Sequence, residues 1–309
     1  MKTATHFGQG IALMLAALTC FAAMDTTVRF LGATVPVLVL LILRYLTQAV
    51  LMVPVLLVTG HGFRSARPGF QLLRGLLLLA CSAITFIGLR YMPVAEYTAI
   101  AMLTPVLVAL FSVLLFKEKV SAVRWALIAG ALAGALVVIR PGSGIFGWVV
   151  LWPLAGSCAY AAFQLLTSRY AALENAFVTH FWTGAVGALA VLPAWAAGFA
   201  DVPGTWQALP AQGQALVAVV GLLGTVGHLL LILAFGRAPA SRLTPFLYLQ
   251  IAIAVLMGWA ALGDVPDGWA WVGMAVIAAC GAATAVLNMR AASRARRELS
   301  AVEADTTAD

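Results

Sequence analysis

The chain has 309 residues, of which 63% are hydrophobic and only 9% charged, with a mean hydropathy of +1.02. A soluble domain carries about 25% charged residues, so this composition excludes a water-soluble globular protein and makes the bilayer the solvent. The formal charge of +7 does not imply nucleic-acid binding, because no soluble basic domain is present to display it.

In chain order, apolar runs cover 10–31, 36–58, 71–89, 94–116, 121–139, 146–168, 177–198, 213–235, 241–262 and 268–289. Each is near the roughly 20 residues that cross the hydrocarbon core as a helix. A helix also satisfies its own backbone amides, as lipid requires. The expectation is an all-α membrane protein with ten transmembrane helices. An even number of spans puts both termini on one side. Every Lys and Arg except Arg29, Arg44, Arg90 and Arg140 falls at or beside that side, Arg74 and Arg242 among them. By the positive-inside rule both termini are cytoplasmic and the chain is a multi-pass protein of the cytoplasmic (inner) membrane. Lys2 ahead of the first run also fits a signal peptide, but cleavage would leave an unmatched set of spans, so retention is expected.

Matched features recur at an offset of 146: Pro93 with Pro239, Thr98 with Thr244, Glu118 with Asp264, Trp125 with Trp271. A weaker match at 140 relates Thr27 to Thr167 and Arg29 to Arg169, with the insertion 199–212 separating the registers. Five spans is an odd number, so the second half enters from the opposite side. The chain divides into 1–140, an inverted copy at 141–289, and a polar tail at 290–309 that is expected to be disordered. Arg294, Arg296 and Arg297 of the tail should lie against anionic lipid headgroups.

Ionisable groups inside a span are costly and mark function or a specific partner. Asp25 lies about seven residues from the outer end of run one, and Arg44 about eight from the outer end of run two. The two are expected to pair, either as a structural brace or as part of a polar pathway. Glu96 opens run four, where the helix dipole favours a carboxylate. It reads as a cap or partner of Arg90, or as a substrate-amine or proton site with its neighbour Tyr97. Its counterpart at the 146 offset is Arg242, which makes Arg90 and Arg242 gating candidates. His180 and His228 are candidate proton carriers, or hydrogen-bonding packing residues.

Trp152, Tyr160, Gln164, Tyr248 and Gln250 sit well inside runs six and nine. Polar tips there must face the protein interior, so they read as cavity lining for a planar or amphipathic solute, or as ordinary packing. Pro105 and Pro245 break the helical hydrogen-bond ladder and serve as hinges, ligands or plain kinks. Trp195, Trp206, Trp269 and Trp271 lie near span ends, where indoles anchor to the interface. Gly130 and Gly134 in run five, with the small residues of run ten, make a close-packing face, used within the chain or for a homodimer. Cys20, Cys81, Cys158 and Cys280 show no metal-ligand spacing. No phosphate-binding loop or catalytic motif is present, so no cofactor, metal or direct ATP use is expected and the chain is not read as an enzyme.

The chain resembles the EamA family of the drug/metabolite transporter superfamily across residues 8–289. The likeness rests on Arg44 in LLILRYLTQAV, the turn and helix YMPVAEYTAIAMLTPVLVAL, FKEKV followed by RWALIAGALAG, the second-half signals RAPASRLTPFLYLQ, ALGDVP and GWAWVG, and FAAMDTTVRFLG in run one. It implies ten helices in two inverted five-helix repeats around a central cavity. It also implies transport of a small metabolite such as an amino acid, a nucleotide-like compound or a toxic analogue. Asp264 stands where this family usually has Glu. The expected function is a secondary active transporter working by alternating access, with proton coupling open. The alternatives are an uncoupled facilitator or exchanger, or a non-transporting membrane subunit.

Overall fold

A computed structural model describes residues 2–116, 121–140, 147–170, 174–237 and 243–306. The described residues form helices and turns without strands. The helices are α1 (Lys2–Leu31), α2 (Val37–Val58), α3 (Pro68–Gly88), α4 (Val94–Ala101), α5 (Thr104–Phe116), α6 (Ala122–Ile139), α7 (Leu151–Tyr170), α8 (Ala176–Ala196), α9 (Val202–Ala208), α10 (Ala211–Arg237), α11 (Leu249–Leu262) and α12 (Gly268–Thr306). Short 3₁₀ turns, Gly147–Val150 and Thr244–Tyr248, lead into α7 and α11. Among the described residues, six helical segments are long and apolar enough to cross a bilayer: Gly8–Leu31, Val37–Val58, Pro68–Gly88, Gly147–Thr167, Ala176–Ala196 and Ala211–Ala234. Shorter apolar helices occupy Val94–Val108, Trp125–Ile139, Leu249–Leu262 and Gly268–Thr284. This is a multi-pass membrane protein.

Local chemistry sets the helix ends. Asn175 caps α8, its side-chain oxygen accepting from Phe177 N at 2.9 Å and Val178 N at 3.3 Å. Asp201 caps α9 through Gly204 N at 2.9 Å, so the insertion holds a short helix. Gly263 ends α11 with a left-handed φ of 73°, a conformation that favours glycine. The fourth apolar run is broken at Met102–Leu103. Pro105 sits in the first turn of α5, where its missing N–H is no loss. The freed Ala101 carbonyl accepts from Thr104 Oγ1 at 2.8 Å and from Ser157 Oγ of α7 at 3.4 Å. Pro245 likewise lies in the opening of a 3₁₀ turn, outside the regular helix α11.

The tail corrects the sequence expectation: α12 continues unbroken to Thr306, so 290–306 is helical rather than disordered. The segment RAASRARRELSAVEADT is rich in Ala and Arg, which are strong helix formers, and contains neither Gly nor Pro.

Packing pairs α1 with α10, α3 with α7, α2 with α8, and α6 with α12. Further contacts join α2 with α10, α3 with α8, α1 with α11, α5 with α7, and α4 with α11. Lipid gives helices no hydrophobic reason to associate, so close approach at small residues carries the packing. A Cβ on Gly184 would meet Ala49 N at 2.7 Å, and one on Gly187 would meet the Tyr45 ring at 2.2 Å, so both glycines let α8 seat on α2. The Gly130–Gly134 face is occupied within the chain. A Cβ on Gly134 would meet Gly273 O at 3.0 Å, and one on Gly130 would meet Cys280 Sγ at 2.7 Å. These residues are therefore explained by the α6–α12 contact and do not call for a homodimer. Trp195, Trp269 and Trp271 are exposed near helix ends, as interfacial anchors should be, whereas Trp206 is partly buried in α9 and its carbonyl accepts from Gln214.

Asp267 links the start of α12 to the end of α6. Its Oδ1 accepts from Ala270 N at 2.9 Å as an N-cap, and its Oδ2 pairs with Arg140 Nη2 at 2.5 Å. The Ala270 N–H, and secondarily the guanidinium, hold this exposed carboxyl below the ordinary aspartate range. Its folded value lies below its unfolded value, so its contribution is present at neutral pH and is lost as pH falls through the lowered value. Asp267→Asn keeps a good cap but loses the charge. Thermal unfolding at a series of acidic pH values should show a shallower acid decline in the variant than in the native protein. Identical acid limbs would remove Asp267 from the account.

Candidate functional site

The stripe of buried residues on α2 runs Leu41, Arg44, Tyr45, Gln48, Met52 and Leu56, at helical spacing. On α3 it runs Gln71, Arg74, Gly75, Leu78, Ser82 and Phe86. On α8 it includes Thr179, His180, Thr183 and Gly184. Each stripe carries polar groups toward the helices packed against it, and together they make a polar centre inside an apolar bundle.

Arg44 is 1% exposed. Its Nη1 donates to Ser82 Oγ at 3.1 Å, and its guanidinium carbon lies 4.6 Å from the Tyr45 ring centre and 6.0 Å from that of Phe86. Tyr45 Oη and Ser82 Oγ are hydrogen-bonded at 2.9 Å. A Cβ on Gly224 would meet Arg44 Nε at 2.9 Å, so glycine at that point of α10 makes room for the guanidinium. Asp25 is also buried and lies within electrostatic reach of Arg44. The expected ion pair is not formed, because the guanidinium reaches across to α3 and α10 instead. Asp25 Oδ1 and Arg44 Nε are both buried without a hydrogen-bond partner in the protein.

The two histidines come together. Their rings stack at 6.1 Å between centres, and His228 also meets Phe21 of α1 edge-on at 4.8 Å. His180 Nε2 faces Thr225 O at 3.2 Å and His228 Nδ1 faces Gly224 O at 2.9 Å, both on α10. Gln48 Nε2 donates to His180 O at 2.9 Å and approaches its Nδ1 at 3.3 Å.

Arg74 departs from its expected role as a mark of topology. It is buried inside the bundle. Its Nε donates to Thr167 Oγ1 at 2.9 Å, its Nη1 donates to Thr183 Oγ1 and to Thr179 O at 3.4 Å, and its guanidinium lies 4.6 Å from the Phe163 ring centre. Gln71 donates to Thr179 Oγ1 at 3.1 Å. Gln48, Gln71, Arg74 and Thr183 were missed as site residues. The signal that could have found them is the spacing of Arg44 with Gln48 and of Gln71 with Arg74, each a polar pair on one helix face.

The aromatic candidates divide. Tyr97 donates to Thr85 Oγ1 at 3.1 Å and fills a slot floored by Gly88 and Gly156. Trp152 packs on Gly88, with its buried Nε1 lacking a partner in the protein. Tyr160 stacks on Phe163 at 5.6 Å, the ring that lies against Arg74, and hydrogen-bonds Gln164. Tyr248 is packed against Gly281 of α12, where a Cβ would overlap its ring, so its contact is helix packing. Gln250 is partly buried in the first turn of α11. Arg242 and Glu118 lie outside the described residues.

At one end of the bundle a mouth opens on a cavity of about 450 Å³ lined by Arg29, Phe30, Gly32, Ala33, Arg90, Tyr91, Leu262 and Asp264. Arg29 Nε is 4.0 Å from Asp264 Oδ2, and its Nη1 donates to Leu89 O at 3.1 Å and Arg90 O at 2.9 Å. Glu96 is buried, with Oε2 unpartnered, and does not pair with Arg90, whose side chain is exposed over Gly32. No group of three or more metal-ligating side chains occurs among the described residues.

A membrane bundle with a mouth on one face and a hydrogen-bonded, charged interior is the architecture of a solute carrier. The model of the EamA-like transporter family matches residues 8–140 and again 147–286, and the chain belongs to that family. A riboflavin transporter of Rhizobium johnstonii is 32% identical over 195 residues, 62% of this chain and 61% of that protein. The aligned part thus spans under two thirds of that relative. An S-adenosylmethionine uptake transporter of Rickettsia bellii is 23% identical over 84% of this chain and 87% of its own length. A riboflavin transporter of Vibrio cholerae is 24% identical over 90% and 93%. A protein of known crystal structure superposes with a TM-score of 0.59 at 21% identity, covering 93% of this chain and 99% of that one, which establishes the shared fold.

Proposed function

We propose that this chain is a secondary transporter that moves a small amphipathic metabolite across the cytoplasmic membrane, both termini cytoplasmic, by alternating access between 1–140 and an inverted repeat at 141–289. The observation that carries the reading is the polar centre on α1, α2, α3, α8 and α10, which a scaffold facing only lipid does not need.

The helix pairings support the inverted repeat. With α1, α2, α3, α4–α5 and α6 matched to α7, α8, α10, α11 and α12, exchange of halves turns α1–α10 into α7–α3. It turns α2–α10 into α8–α3, and α1–α11 into α7–α5. The pairs α2–α8, α4–α11 and α6–α12 map onto themselves. The 146 offset also carries the α4–α5 break at Met102–Leu103 onto the junction at Tyr248–Leu249. The names of the relatives support a solute with a heteroaromatic body, of the nucleotide-like class. Asp25, a buried carboxyl beside Arg44, is the group to which proton coupling is assigned.

The test is flux into liposomes carrying purified protein, with riboflavin, S-adenosylmethionine, nucleosides and amino acids, with and without a pH gradient. Gradient-driven movement of one class is expected, and Asp25→Asn should abolish the dependence on the gradient. Movement indifferent to the gradient would point to a facilitator, and an absence of movement for every solute would reject the transporter.

A further inference from the structure

We infer that the buried centre binds an anionic group of the solute, a carboxylate or phosphate, with Arg74 and Arg44 as its cationic partners. This rests on the transporter reading and names the chemistry of its substrate. Among the described residues the polar centre holds two guanidiniums, Arg44 and Arg74, and a single carboxylate, Asp25; the buried Glu96 lies instead toward Asp264, Asp267 and Arg140. Asp25 acts on Arg44. Every hydrogen bond of Arg74 ends on a neutral oxygen, those of Thr167, Thr179 and Thr183. The ionisable groups that bear on it are Tyr160, Tyr45, His180 and His228, with no carboxylate among them. Among the described residues the centre therefore carries one uncompensated positive charge in surroundings where an unpaired ion is costly.

The mouth differs. There Arg29 stands 4.0 Å from the carboxylate of Asp264, and Arg140 is paired with Asp267. Arg44 Nε, in a side chain 1% exposed, lacks a protein partner, so one guanidinium N–H of the centre remains free to donate. A guanidinium fork matches a carboxylate or phosphate in shape as well as charge. The rings of Tyr45, Phe86, Phe163 and Tyr160 flank the two guanidiniums. The anion is thus expected on a flat or apolar body, not as a small inorganic ion.

The experiment measures thermal unfolding of the purified protein in an uncharged detergent against benzoate, benzamide and benzylamine, with flavin mononucleotide and riboflavin as a larger pair. Benzoate should stabilise where its neutral and cationic analogues do not, and flavin mononucleotide should exceed riboflavin. Arg74→Gln should weaken benzoate binding about tenfold or more, the worth of one charged hydrogen bond. Arg74→Lys keeps the charge and loses the fork, so it should fold yet bind benzoate less tightly; this variant decides the matter if Arg74→Gln does not fold.

Equal effects of benzoate and benzamide, or undiminished benzoate binding in the variants, would overturn the inference. Stabilisation by phosphatidylglycerol alone, with nothing added by benzoate, would assign the anion to a lipid headgroup and overturn it too. Flux of neutral or cationic solutes without a benzoate effect would sink this inference and leave the transporter standing. A benzoate effect without flux of any solute would keep the anion site and sink the transporter.

Discussion

The double variant Asp25→Leu with Arg44→Leu is expected to fold and to transport nothing. Arg44→Leu alone leaves the Asp25 carboxylate buried without the cation that acts on it, and removes the donor to Ser82. A buried carboxylate left without a nearby cation is costly, so the single variant is expected to be the least stable of the set. Replacing both groups by apolar side chains removes both desolvation penalties and is often neutral or stabilising. Thermal unfolding in detergent should therefore rank the native protein and the double variant together, with Arg44→Leu well below. Liposome flux should separate them in the other direction. The two residues are not joined by a hydrogen bond and each keeps an unpartnered polar atom, a poor design for a brace and a suitable one for groups that hand over to a solute or a proton. A double variant that folds and still transports would make the pair structural and move the transport centre toward Arg74 and the histidines.

The apolar runs were legible as helices because lipid leaves the backbone no alternative to an internal hydrogen-bond ladder. Where the ladder breaks was legible only in part. Pro105 and Pro245 marked the disturbed segments, but the break falls at Met102–Leu103 because proline is tolerated in the first turn of the helix that follows it. In the site, Arg44 and Asp25 stood out as charges deep in apolar runs. Arg74 did not, because it lies near Arg64 and Arg67 at the start of α3 and shares their contribution to topology. Only the arrival of Thr167 from α7 and of Thr179 and Thr183 from α8 identifies it as interior, and contacts across more than ninety positions of chain leave no trace in local spacing. The pairing of His180 with His228 was hidden for the same reason. Tyr248 shows the opposite failure: an aromatic residue inside a span fits packing and cavity lining equally well until Gly281 is seen beneath it.

Gly273→Val is expected to unfold the protein more severely than any other single change on the α6–α12 face. A Cβ at Gly273 would lie 2.6 Å from Gly134 O and 2.9 Å from Val138 N, atoms of a helix backbone that cannot rotate away. Overpacking costs about 1–3 kcal/mol where side chains can shift and more where they cannot, so this variant belongs at or beyond the upper end. Gly130→Ala is the internal control. Its added carbon meets only Cys280 Sγ at 2.7 Å, a side chain free to turn, and its cost should be under about 1.5 kcal/mol. Melting temperatures measured beside mass by light scattering separate the two uses of a glycine face. A destabilised protein of unchanged mass places the contact within one chain. A change of mass without a change of stability would make the face intermolecular and restore the dimer. The first outcome is the one the backbone distances require, because a face already filled by Gly134 and Gly273 of the same chain has no room for a second copy.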